Sequence, residues 1–361
     1  MGATLLFPCC VPEALAYAEE AARRGEPIVA ASSLTFDETA SQFPKWFPLP
    51  AVYAKDFPHR LREAVRTHAI ERVFAPVSAA HWALERLVAR GEIEVTLLGE
   101  MPVRRHAREH AGLLARADRR RLEALAHSDG TSTLSRLEVA AVLRAATAVF
   151  GESNETKIAA LLGIFADAPK GDVVEIGVLT GRSALVLELM ARRHGTGSVL
   201  AIDPWAYANS VQKESPGELQ EMVDVWEASV PYETFITQLL PVARPGAFNY
   251  LRMTGTEAHA VWSRARIARS AEFGETAYAG RIAVLHIDGN HDYPAVKEDV
   301  DLWLPHVAAG GWVVLDDYLW LHGDGPRRVG DALLTAQAQR IMRTFVCGGA
   351  LFVKLGGDRD I

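Results

Sequence analysis

Residues 281–320 read RIAVLHIDGNHDYPAVKEDVDLWLPHVAAGGWVVLDDYLW. An apolar run ends at Asp288, a helical stretch follows, and a second apolar run, GWVVL, ends at Asp316 and Asp317. A strand, a helix and a second strand in this order form a right-handed parallel unit, which brings both strand ends to one edge of a sheet. Neighbouring strands lie about 4.8 Å apart, so the three carboxylates converge. Close carboxylates repel one another and rise in pKa unless a cation neutralises them. Oxygen-only ligands favour Mg2+, Mn2+ or Ca2+ over zinc. Asp288, Asp316 and Asp317 are therefore read as the ligands of a divalent ion. His291 follows Asp288 by three residues, in the loop past the strand end. Imidazole gains and loses a proton near neutral pH, so His291 is read as the base for a substrate hydroxyl held on that ion. His291 and Asp288 are the candidate catalytic residues. His286, inside the strand, is read as a core histidine.

Working upstream, residues 172–190 (DVVEIGVLTGRSALVLELM) are an apolar strand, a turn with two glycines and a helix. Gly177 and Gly181 let a ligand approach the backbone closely, and the helix start presents free N–H groups. The turn is no Walker loop, and Val178, Leu179 and Thr180 between the glycines depart from GxGxxG. The next strand ends in AIDPW, which puts Asp203 at its carboxyl end, where an acid accepts hydrogen bonds from a ribose diol. Glu175 is placed to face an ammonium group. A cofactor with an adenosine and an amino-acid end suits both acids.

Strand and helix signals alternate elsewhere too. Residues 1–102 carry ATLLFP, PEALAYAEEAARRG, PIVAASS, HRLREAVRTH, RVFAPV, AHWALERLVARG and EVTLLG, the pattern of a small parallel α/β domain. Residues 36–55, rich in proline and aromatics, read as a loop. Residues 103–150 are charged and helical and read as a connector, with Ser135 and Glu138 forming a capping box. Residues 151–361 form the second α/β domain. In its closing stretch Gly348 and Gly349 join two apolar runs as a hairpin. Trp46, Trp205, Trp226 and Trp262 are candidates for stacking on a ligand, with buried packing the expectation for at least half of them.

The 361 residues carry a formal net charge of −7, which makes no global electrostatic case for nucleic acid or an anionic membrane. Three cysteines, Cys9, Cys10 and Cys347, imply no disulfide framework. No apolar run reaches the ~18 residues of a membrane span. The expected location is the cytoplasm and the expected assembly a homo-oligomer. His106 to His110 spells HxxEH but lies in an arginine-rich helix with no third ligand in view. Arg116, Arg119, Arg120 and Arg121 lack the interleaved aromatics of a nucleic-acid surface.

Together, EIGVLTGRS, AIDPW, the stretch from His286 to Tyr318 and the closing TFVCGGALFVKL resemble the class I S-adenosylmethionine-dependent methyltransferases. The resemblance is to the metal-dependent O-methyltransferases of the macrolide-sugar and cephalosporin-hydroxylase-like group, and it covers roughly residues 150–356. It implies a Rossmann-like seven-stranded sheet with the last strand antiparallel. It places Glu175, Gly177, Thr180, Gly181 and Ser183 on the methionine side of the cofactor. Asp203 falls on the ribose, and Gly255 and Thr256 on the adenosine. It likewise assigns Asp288, Asp316 and Asp317 to Mg2+ or Mn2+ and His291 to the base. The implied substrate is a small hydroxylated molecule such as a natural-product sugar. Residues 1–150 share none of this; they loosely resemble the front α/β domain of ATP-grasp enzymes, with no ATP-grasp core behind it.

Two other classes compete. A nicotinamide- or nucleotide-sugar-dependent oxidoreductase would also use a Rossmann sheet, but GxGxxG and a Tyr-x-x-x-Lys pair are missing. A non-catalytic S-adenosylmethionine-binding module would not need Asp288, His291, Asp316 and Asp317 together.

Overall fold

A computed structural model describes residues 2–34, 36–218, 221 and 229–357. The chain divides into two units, residues 1–112 and 113–361.

The first unit runs β1 (Ala3–Leu6), α1 (Pro12–Arg23), β2 (Ile28–Ser32), β3 (Trp46–Pro48), α2 (Phe57–Thr67), β4 (Ile70–Phe74), α3 (Ser78–Ala89) and β5 (Thr96–Leu98). Its sheet has the order β3-β2-β1-β4-β5, and every pairing is parallel. Leu5, Val73, Phe57 and Leu84 centre its core. The stretch read as a loop, 36–55, supplies a strand, because β3 lies at the sheet edge, where proline removes no needed ladder bond.

The long helix α4 (Pro102–His127) leads into the second unit. Of the stretch expected as a connector, residues 103–112 fall in the first unit and 113–150 in the second. Leu113, Ala117 and Ala124 of α4 and Val139 and Leu143 of α5 (Arg136–Ala148) pack in one apolar cluster with Ile158, Val173 and Val186. Their helical spacing puts them on one face. The predicted capping box starts α5: Ser135 Oγ accepts from Glu138 N at 3.2 Å, and Glu138 Oε2 from Ser135 N at 2.8 Å.

Next come α6 (Glu155–Ile164), β6 (Asp172–Ile176), α7 (Arg182–His194), β7 (Val199–Ile202), α8 (Tyr207–Ser210), α9 (Ser229–Leu239) and β8 (Phe248–Leu251). The chain continues with α10 (Gly255–Ala265), β9 (Ile267–Ser270), β10 (Gly274–Ala277), β11 (Ile282–Ile287), α11 (Tyr293–Trp303) and β12 (Val307–Leu315). It closes with α12 (Gly325–Ala336), β13 (Ile341–Cys347) and β14 (Ala350–Leu355). The sheet order is β13-β14-β12-β11-β6-β7-β8. β14 alone runs against its neighbours β12 and β13, whereas the other paired strands are parallel. This matches the expected seven strands with a reversed last strand, and departs from the all-parallel 3-2-1-4-5-6 order of dinucleotide folds.

Alternate residues of the central strands fill two cores. Val173, Val199, Val284 and Trp312 face one, while Val174, Leu200, Leu285 and Val313 face the other. Each is at most 1% exposed, and burial of one such aliphatic side chain is worth about 1.5–3 kcal/mol. The run AHAVWSRARIARS is helical only to Ala265. Arg266 adopts a left-handed conformation there, and the chain turns into the β9–β10 hairpin. Among the described residues no helix is long and apolar enough to cross a membrane.

Candidate active site

Strand register sets the site. Ile287 of β11 pairs with Ile176 of β6 and with Leu315 of β12. The ladder continues one residue further: Asp288 N donates to Ile176 O at 2.7 Å, and Asp316 N to Ile287 O at 2.9 Å. Asp288 and Asp316 thus emerge side by side at the carboxyl edge, as the βαβ reading requires. Gly177 lies against them with φ +83°, and a Cβ there would fall 2.0 Å from the Asp288 carbonyl oxygen. Only glycine fits, which locks the glycine turn to the acidic loop.

Asp203 braces that turn. Its Oδ2 accepts from Val178 N at 2.8 Å and Leu179 N at 3.0 Å, and its Oδ1 accepts from Trp205 N at 2.7 Å. Burial pushes its carboxyl up, and these three N–H groups oppose that rise. Trp205 Nε1 donates to Leu179 O at 2.7 Å and closes the ring. Thr180 donates its hydroxyl to Phe150 O. Gly181, at φ +91°, starts α7 where a Cβ would meet Phe235 at 2.9 Å. Glu175 is set apart from this turn. It is fully buried, and its Oε1 meets His286 Nδ1 at 2.9 Å, so it does not line the cavity as the ammonium partner expected from sequence. Gly255 and Thr256 begin α10, behind a Thr254–Glu257 capping box.

The three expected metal acids fall into two overlapping groups, Asp288 with Asp316 and His286, and Asp288 with Asp317 and His291. Asp316 Oδ2 is engaged by the Lys157 ammonium, which also reaches Asp288 Oδ2 at 3.2 Å. Burial alone would raise the Asp316 carboxyl, but the Lys157 charge outweighs it and holds Asp316 well below the usual range. Burial and the neighbouring Asp316 charge push Asp288 well above it. Asp317 points elsewhere. Its Oδ2 lies 3.0 Å from His291 Nε2, off the axis of a hydrogen bond, and its backbone sits at φ +52°. Asp288, His291 and Asp317 offer ligand atoms within 4.8 Å of one another. The ring of Trp320 meets that of His291 edge-on, with centroids 4.4 Å apart.

One cavity of about 1420 Å³ joins these parts, lined by Gly177, Asp203, Thr256, Asp288, His291 and Trp320 among others. Thr180, Gly181's neighbour Arg182, Ser183, Gly255 and Asp317 also face it. Asn290, which the sequence did not single out, and Asp292, a weaker candidate beside His291, hold one wall. Asn290 Nδ2 donates to Val211 O at 2.9 Å, and the Asp292 carboxylate accepts from Lys213 N and Glu214 N at 2.8 Å each. The polar run after Asp288 was their only signal.

Residues 174–318 match a family described as a methyltransferase domain. That match covers the glycine turn, Asp203 and the acidic edge, on a sheet ordered as this fold requires. The match lies wholly within the second unit. Solved structures with partial likeness include the O-methyltransferase NovP, at 17% identity and a TM-score of 0.41 over 55% of this chain and 79% of that one. A TDP-rhamnose 3'-O-methyltransferase of calicheamicin biosynthesis aligns at 16% identity and 0.32, over 55% and 78%. MycE of the mycinamycin pathway, solved with Mg, SAH and mycinamycin VI, aligns at 17% and 0.31, over 53% and 46%. No curated protein matches the chain significantly.

Other residues singled out from the sequence lie outside this site. Arg116 and Arg120 both reach Glu155, at 3.0 and 3.4 Å, and so tie α4 to α6. His106 and His110 stack a turn apart on α4 and join no metal-capable cluster among the described residues. Trp262 is core and Trp205 lines the cavity, Trp46 lies on β3 in the first unit, and Trp226 falls outside the described residues. The three cysteines are free, with Cys9 and Cys347 buried.

Proposed function

We propose that the chain methylates a hydroxyl of a small molecule, with Mg2+ or Mn2+ assisting. The observation that carries this reading is the continuity of the cavity, from Asp203 and the glycine turn at one end to His291, Asp288 and Asp317 at the other. S-adenosylmethionine, when bound, supplies an electrophilic methyl group, and a divalent ion, when bound, makes a coordinated hydroxyl more acidic.

The chain's residues do the rest. Gly177 and Gly181 keep the turn free of side chains, so a ligand reaches the backbone. Asp203 holds that turn in shape and remains an acceptor for ribose hydroxyls, since a carboxylate offers about four lone-pair sites. Asp288 and Asp317 fit a divalent ion on the cavity side, with His291 beside them. His291 takes the acceptor proton at a ring nitrogen, and the Asp317 carboxylate 3.0 Å away stabilises the imidazolium that results. Trp205 and Trp320 give the wall flat apolar faces suited to a sugar or aromatic ring. Positioning the hydroxyl against the methyl group supplies most of the rate. Cytoplasmic location and homo-oligomeric assembly accompany this reading as proposals.

The test uses S-adenosylmethionine labelled in its methyl group and a panel of hydroxylated metabolites. Label appears in an acceptor with Mg2+ or Mn2+ present and disappears with His291→Ala. Calorimetric binding of NAD with none of S-adenosylmethionine would overturn the proposal.

A further inference from the structure

From Lys157 to Ile164, every residue of α6 is buried. Lys157 is the only charge in that stretch and is 2% exposed. Three features aim its side chain. Asn154 caps α6, accepting from Lys157 N at 2.9 Å. The same Asn154 donates through Nδ2 to Gly348 O in the β13–β14 turn at 3.2 Å. Gly348 passes so close that a Cβ there would fall 2.6 Å from Lys157 Cβ. The ammonium ends between Asp288 and Asp316, and among the described residues lining the cavity Lys157 is absent. It is therefore not placed to act on an acceptor.

The position it fills has the donors of a metal site. His286, Asp288 and Asp316 offer ligand atoms within 4.8 Å of one another. His286 is fully buried, its Nε2 has no hydrogen-bond partner among the described residues, and that nitrogen lies 3.9 Å from Asp316 Oδ2. Two carboxylates and an imidazole nitrogen are a set that Mn2+ and its neighbours accept. Paired buried carboxylates also need a positive charge close by.

We propose that Lys157 is a resident cation: its ammonium takes the place of a metal ion in the His286–Asp288–Asp316 set and holds the floor of the site together without one. A divalent ion is thereby confined to the cavity side, at Asp288 and Asp317 beside His291. The first statement holds whatever the acceptor; the second rests on the proposed function.

The experiment is Lys157→Met in the full chain, which keeps the apolar stem and removes the charge. Mn2+ binding is read from the free-ion electron paramagnetic resonance signal, and melting is followed in EDTA and in Mn2+. The variant is expected to melt lower than wild type in EDTA, to recover in Mn2+, and to bind Mn2+ at least about tenfold more tightly than wild type. Equal or weaker Mn2+ binding by the variant overturns the proposal. If wild type binds no Mn2+ and the variant does, Lys157 keeps its role and the ion leaves the proposed function. If both bind alike, the reverse holds; if neither binds, both readings fall. Should Lys157→Met fail to fold in EDTA, Lys157→Met with Asp316→Asn removes one charge of each sign. That double variant is expected to fold, and its failure to fold also overturns the proposal.

Discussion

Replacing Asp203 by Asn separates a brace from a mere ligand contact. The carboxylate accepts three backbone N–H bonds, at 2.7, 2.8 and 3.0 Å, from Trp205, Val178 and Leu179. Asn keeps one acceptor oxygen and turns an NH2 group toward at least one of these donors. A buried N–H left unsatisfied costs about 1–3 kcal/mol, and bonds to a charged acceptor lose about 1 kcal/mol when the charge goes. The sum is about 3 kcal/mol. For a domain of this size that lowers the melting temperature by about 6–12 °C. Under the proposed function the loop that is released also cradles the cofactor, so affinity for S-adenosylhomocysteine is expected to fall by up to about 100-fold. The assays are thermal melting without ligand and calorimetric titration with S-adenosylhomocysteine. A changed affinity with an unchanged melting temperature would show that Asp203 serves only the ligand, and would refute the bracing argument. No change in either refutes the cofactor assignment of the loop as well.

Gly177→Ala is expected to destabilise the domain by more than about 3 kcal/mol in urea unfolding, since a Cβ meets backbone at 2.0 Å and φ is +83°; a loss under about 1 kcal/mol contradicts the locked turn. His291→Ala should lower kcat by roughly 10²–10⁴ with cofactor affinity little changed; parallel losses in both would mean a structural role. Asp299 titrates in the folded state at about 7, raised first by burial and then by Glu298. A raised acid contributes stability that is present below its unfolded pKa and lost as pH climbs through the folded value. The melting temperature of Asp299→Asn should therefore pull ahead of wild type between about pH 4 and 7 and hold its lead above that. A gap independent of pH would disprove this.

The acidic edge was legible because it needs only local information. Each strand is an apolar run and each acid follows its run directly, so the pairing of Ile287 with Ile176 and Leu315 carries Asp288 and Asp316 together. The closing hairpin was legible for the same reason: Gly348 and Gly349 both take positive φ. Less visible was β3, whose prolines mask an edge strand, and the β9–β10 hairpin, whose break depends on Arg266 turning left-handed. A lone lysine in an apolar helix was a signal for Lys157, but its partners lie 131 and 159 residues further along the chain.

By itself, then, the sequence determined the α/β character and the residue types gathered at the carboxyl edge, while the seven strands were implied by the family resemblance. Apolar periodicity and strand-end chemistry act over a few residues at a time. Tertiary structure alone decided which carboxylate meets which partner. It turned Asp316 toward Lys157 and Asp317 toward His291, buried Glu175 against His286, and set Asp203 beneath the glycine turn. Those choices depend on where α6 crosses the sheet edge and how distant loops pack there. Buried charges are stable only with a partner in reach, and the partner within reach is a property of the folded chain.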